Sequence, residues 1–210
     1  KHFPTLDGPA HLYNSNLLGH LLSGDSFLGN YFKLNNISTP NWLGHFAILI
    51  FQRIFGSIIA EKIIVIICIA GLAYSFRFLL TTLNPHQIAI SYLILPFTYS
   101  FFLFLGFFNF ILSTALLFVC LTLFVKLANR YSVLVHISII ICLLLTYFAH
   151  PFGFFAFLLS AGTYYLVLLP SMVKNSFKPP LLLALQLASA IAIPCLNYIN
   201  YAGNGVVKLS

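Results

Sequence analysis

Residues 88–125 run for 38 positions without a charged side chain. One straight helical crossing of a bilayer uses about 20 apolar residues. The run is therefore two elements or one broken element, with Pro96 and the segment 106–109 as the candidate breaks. Shorter apolar runs recur at 43–60, 63–80, 133–149, 152–169 and 181–199. Backbone groups in hydrocarbon find partners only inside a helix or a closed barrel. The short alternating segments of a barrel are not the pattern here. The fold class that follows is all-α, a polytopic transmembrane helical bundle.

Composition agrees. Charged residues make up 6% of the chain, against about 25% in a soluble domain. The net charge of +7 comes from ten Lys and Arg scattered singly or in pairs at the ends of apolar runs. That is the pattern of orientation signals, not of a nucleic-acid stripe with interleaved aromatics. Cys68, Cys120, Cys142 and Cys195 sit inside apolar runs and read as small core residues. No P-loop, GxSxG, HExxH or zinc spacing occurs.

The one long polar stretch is residues 1–40. Pro9 suits the first turn of a helix. Ala10, Tyr13, Leu17, Leu18, Leu21 and Leu22 then predict an amphipathic helix lying on the membrane surface, with Gly19 and Gly24 weakening it. A second short piece is expected around residues 27–32, and Trp42 as an interfacial anchor. The chain thus divides into a loop with surface helices, 1–41, a transmembrane domain of about six to seven segments, 42–200, and a loop, 201–210. It is expected to continue beyond Ser210 and to be preceded by at least one further helix.

Orientation follows from Lys and Arg in short loops. With loop 1–41 extracytoplasmic, 43–60 as a crossing and 88–125 as one net crossing, Arg53, Lys62, Lys126, Arg130, Lys174 and Lys178 fall inside. His86 and His150 then join Asp7 and His11 outside. Arg77 counts against this arrangement.

Only three carboxylates exist, Asp7, Asp25 and Glu61. Glu61 beside Lys62 reads as an interfacial ion pair, and Asp25 after Ser23-Gly24 as a turn residue. Asp7 before Gly8-Pro9 is either a helix cap or a functional base. His11 is one helical turn on, where it can orient a phosphate or share a proton. Polar groups at membrane depth are expensive and often functional. His150 before Pro151 binds a donor phosphate or caps a helix. Asn109 serves the break or a substrate. Arg77 holds a lipid phosphate or snorkels to a headgroup, and His45 and Arg53 are similar cases. His136 reads as a core histidine bonded to a neighbouring helix.

The stretch Pro4-Thr5-Leu6-Asp7-Gly8-Pro9-Ala10-His11, with its following surface helices, Pro40-Asn41-Trp42 and many apolar helices, resembles the GT-C superfamily of integral-membrane glycosyltransferases. The resemblance implies transfer of a sugar from a polyprenyl-phosphate donor to an acceptor at the extracytoplasmic face. The catalytic Asp would be Asp7, in the first outside loop, with His11, His150, Asn109 and Arg77 as substrate-binding candidates. Many members carry a second acidic residue two positions away. Here Thr5 and Pro9 stand at that spacing, so a possible divalent metal has no ligand pair in this motif. The implied partners are membrane lipids, the lipid-linked donor and an acceptor, with no nucleic acid. The rival readings are a transporter or flippase for amphiphilic substrates, to which a broken helix also belongs, and a non-catalytic membrane scaffold.

Overall fold

The computed structural model describes residues 3–34, 39–130 and 132–175, with the isolated positions 184, 185, 188, 192 and 196. The expected last crossing, 181–199, the loop 201–210 and Cys195 fall wholly or mostly outside the described residues. Everything regular that is described is helical, and four helical stretches are long and apolar enough to cross a membrane. The protein is an all-α membrane protein.

Helix α1, Gly8–Leu22, forms where a helix was expected after Pro9. A short α2, Ser26–Gly29, follows, then α3, Leu43–Phe55, and α4, Ser57–Leu83. Gly56, at φ 80° and ψ 165°, separates α3 from α4, a conformation open to glycine. A 3-10 helix, Pro85–Ile94, and two short helices, α5 (Leu95–Thr98) and α6 (Phe101–Leu105), lead to Gly106. Then come α7, Phe108–Asn129, α8, Val133–Ala149, and α9, Pro151–Asn175.

The contacts fix the path. Cys68 Sγ lies 3.9 Å from the Phe108 carbonyl, the Phe76 and Phe118 rings are 5.2 Å apart, and Lys126 Nζ lies 4.3 Å from the Phe78 ring centre. Helices α4 and α7 therefore run parallel, so residues 85–105 must return along the bundle between them. Residues 88–125 make two passes, not the one net crossing expected, and the break falls at Gly106. The first apolar run also differs from expectation. The Gly44 amide donates to Asn109 Oδ1 at 2.6 Å, while Cys68 meets Phe108. Residues 44 and 68 thus lie against adjacent residues of α7, and the chain between them makes no net pass. Helix α3 has 13 residues, about 20 Å at 1.5 Å per residue, short of the roughly 30 Å hydrocarbon layer. The two corrections cancel beyond α7: Lys126 and Arg130 still lie opposite His150. Arg53 and Lys62 move to the Asp7 end, and His86 to the opposite end.

Lipid removes most of the hydrophobic drive between helices, so close packing carries their association. Helices α7, α8 and α9 share a core of Cys120, Phe124, Leu143, Phe154 and Phe157, with the Phe124 and Phe157 rings edge-on at 5.8 Å. Gly153 admits the backbone of Ser113 so closely that a β-carbon would stand 2.6 Å from its carbonyl oxygen. Cys68, Cys120 and Cys142 are buried and free, as small core residues. His136 Nδ1 has no hydrogen-bond partner among the described residues, so the expected bond to a neighbouring helix is not made by that atom.

Helix α1 docks by a face other than the expected stripe. Gly8, Leu12, Ser15, Leu18 and Gly19 are buried, whereas Tyr13 and Leu22 are exposed. The reason is steric. Gly19 sits against Leu49 and Arg53 of α3, where a β-carbon would stand 2.8 and 3.0 Å from their side chains. Gly8, Ser15 and Gly19 set the closeness of the docking face, Leu12 and Leu18 are buried with them, and of the expected stripe only Leu18 lies on it.

Candidate functional site

Three segments converge at one end of the bundle: the start of α1, the start of α3 and the break between α6 and α7. The amides of Leu6 and Asp7 donate to the carbonyls of Phe104 and Leu105 at 2.9 and 3.0 Å. Gly106 then turns at φ 83°, and a β-carbon there would stand 2.9 Å from the Gly8 nitrogen. Only glycine fits this crossing of two backbones.

Asp7 holds the N-cap position of α1, yet its side chain makes no capping hydrogen bond. The residue is partly exposed and stands at the positive end of the helix. Asp25 does the opposite. Its Oδ1 accepts from the amides of Phe27 and Leu28, both at 3.1 Å, and its Oδ2 lies 3.4 Å from His20 Nδ1. Asp25 is a structural cap, as a turn residue should be.

His11 joins Asp7 through the first turn of α1, where its amide bonds the Asp7 carbonyl at 3.0 Å. Its Nδ1 lies 3.1 Å from His45 Nε2, and its ring packs on Phe108 with centres 5.5 Å apart. Burial first, and then the neighbouring His45, push the His11 pKa below its ordinary 6.5. The charge of Asp7 and a hydrogen bond to the Gly106 backbone oppose them. His45 Nδ1 in turn lies 3.0 Å from the Asn41 carbonyl.

Asn109 ties the same junction. It is buried; its Oδ1 accepts from Gly44, and its Nδ2 donates to the Asn41 carbonyl at 2.9 Å. Asn109 therefore caps α3 from across the bundle. It satisfies backbone groups of α3 rather than those of the break itself. His150 Nδ1 accepts from the Phe152 amide at 3.1 Å, so His150 caps α9. Its ring meets Phe110 edge-on at 5.5 Å, which places it at the same end as Asp7 but with its Nδ1 engaged. Burial lowers its pKa.

Arg77 is not brought to this site. It lies 16 residues beyond Glu61 on α4, about 24 Å along the helix. Its Nη1 bonds Ser91 Oγ at 3.3 Å, and its guanidinium stands 5.7 Å from the Tyr92 ring centre, beside a cavity of about 450 Å³.

Two groups at the site did not stand out in the sequence. His45 passed as an interfacial residue. Glu61 passed as the partner of Lys62, but adjacent helical residues do not face each other. Lys62 is exposed, and Glu61 is fully buried. Its Oε1 lies 3.1 Å from where a Gly8 β-carbon would stand. The start of α1 thus has one carboxylate sealed beneath it and one, Asp7, open beside it. Among the described residues no three His, Cys, Asp or Glu side chains converge as a metal site.

No family model matches the chain, and neither a curated protein nor a solved structure matches it.

Proposed function

We propose that the protein is a membrane glycosyltransferase of the GT-C kind, with Asp7 as general base. The observation that carries this reading is the uncapped carboxylate of Asp7. It occupies a cap position without capping and is partly open, and its backbone is clamped to the break before α7. A carboxylate so placed accepts the proton of an acceptor hydroxyl or amine as that atom attacks the sugar carbon. The bond from sugar to phosphate breaks, the polyprenyl phosphate leaves, and direct attack inverts the carbon. His11, one turn along, contacts acceptor or phosphate. His150 borders the site through Phe110, and Asn109 positions α3. Arg77 takes no part in this chemistry and suits a lipid phosphate at the opposite end.

Charge supports an extracytoplasmic Asp7 end. All three carboxylates lie there, with Lys33, Arg53 and Lys62 among the described residues. Toward the opposite end lie Arg77, Lys126, Arg130 and Lys174, so the count of Lys and Arg, which sets orientation, favours that end as cytoplasmic by four to three. The test is sugar transfer from a radiolabelled lipid-linked donor by the full-length protein and its Asp7→Asn variant. The broken pass, residues 85–105, favours the second reading, a transporter or flippase for amphiphilic substrates, since interrupted helices line such sites.

A further inference from the structure

The Asn41 carbonyl is an obligate acceptor, and it is fixed. Asn41 has φ 71°, the one positive value at a non-glycine among the described residues. Its carbonyl receives Asn109 Nδ2 at 2.9 Å and faces His45 Nδ1 at 3.0 Å. An acceptor cannot face a lone pair, so His45 Nδ1 carries the hydrogen. A neutral imidazole carries one, which leaves His45 Nε2 bare. That bare nitrogen lies 3.1 Å from His11 Nδ1, so His11 Nδ1 must donate. Neutral His11 is then left with a bare Nε2.

We propose that His45 is a positioning residue that fixes the tautomer of His11, so that His11 presents Nε2 as a second proton acceptor beside Asp7. The arrangement follows the general rule that the bond made by one ring nitrogen sets the state of the other. Burial of both rings favours the neutral forms this needs at neutral pH. The Gly106 backbone also draws on a His11 ring hydrogen, and the nitrogen that carries that hydrogen is what the spectra report. Two acceptors then serve one transfer: Asp7 takes the acceptor proton, and His11 Nε2 receives it from Asp7. This catalytic half rests on the transferase reading; the tautomer does not.

The test uses the full chain in lipid nanodiscs with ring-¹⁵N-labelled histidine, read by ¹H–¹⁵N correlation at pH 7.5. His11→Gln and His45→Phe assign the signals. In the wild type His11 is expected with its hydrogen on Nδ1, and in His45→Phe with its hydrogen on Nε2. Asn41→Gly keeps the carbonyl and the positive φ, and leaves the wild-type pattern. A wild-type His11 protonated on Nε2 overturns the proposal. So does a His45→Phe pattern unchanged from wild type. In the transfer assay, His45→Phe is expected to lower kcat by about tenfold or more with KM little changed. Full kcat in that variant overturns the catalytic half. Because the spectra need no substrate, a protein that transfers no sugar still reports its tautomer, and the two failures stay distinct.

Discussion

The amide of Asp7 donates to the carbonyl of Leu105 at 3.0 Å, one residue before the chain turns at Gly106. The polar loop is thereby bolted to the break in an apolar pass. Gly106→Ala is expected to disturb this joint. It adds a β-carbon at φ 83° and 2.9 Å from the Gly8 nitrogen. Backbone strain of this kind costs about 1–3 kcal/mol. Thermal unfolding in detergent should show the loss. An unchanged melting temperature would mean that the crossing is looser than these distances.

Asn109 is the second joint. Asn109→Ala leaves the buried Gly44 amide without its side-chain partner, while the carbonyl of exposed Asn41 keeps His45 Nδ1. An unsatisfied buried group costs about 1–3 kcal/mol. The sole tryptophan, Trp42, holds the N-cap position of α3 and reports the damage by fluorescence. Removing the Asp25 cap by Asp25→Ala should cost only about 1 kcal/mol and leave the Trp42 signal in place.

The path of the chain makes a labelling prediction. Single cysteines at Gly24 and Arg53 should react from the same side of the membrane, and cysteines at His86 and Arg130 from the other. Reaction of positions 53 and 86 from opposite sides, and of 24 and 86 from opposite sides, is the expected pattern. Reaction of 24 and 53 from opposite sides would restore α3 as a crossing.

Much of this architecture was legible in the sequence. The ends of α8, Val133 and Ala149, follow directly from an apolar run closed by His150-Pro151. Pro9 marked the start of α1, and the segment 106–109 was one of two candidate breaks, beside Pro96. What failed was inference that treats apolar content as direction. Residues 43–60 are hydrophobic enough to cross, yet Asn109 holds Gly44 at the level from which α7 departs. The docking face of α1 escaped because glycine and serine register as weak positions in a hydrophobic pattern, although they permit the closest approach. Asp7 and His11 could be placed together by spacing. His45, 34 residues from His11, and Glu61, hidden by its neighbour Lys62, depend on tertiary contacts that no local pattern carries.

A pH dependence follows from His11. Its pKa lies below 6.5 in the folded protein, so the unfolded chain binds the proton first as pH falls. The stability contributed by neutral His11 is fully present above about pH 6.5. It is lost as pH falls through the lower folded value. Asp7 from α1 and His45 from α3 are the titratable groups acting on the ring. Melting followed by Trp42 fluorescence at pH 7.5 and pH 5 should show a larger loss in the wild type than in His11→Phe. Equal losses would contradict the burial of this ring.

The central claim is that Asp7 is the base. Asn keeps the size of Asp and its capping ability, so Asp7→Asn removes the proton acceptor while sparing α1. The measurement is single-turnover sugar transfer from a radiolabelled polyprenyl-phosphate donor by the full-length protein in lipid. Asp7→Asn should fall by about 10²–10⁴-fold with its melting temperature unchanged, while Asp25→Asn stays within a few-fold of wild type. Full transfer by Asp7→Asn would contradict the account.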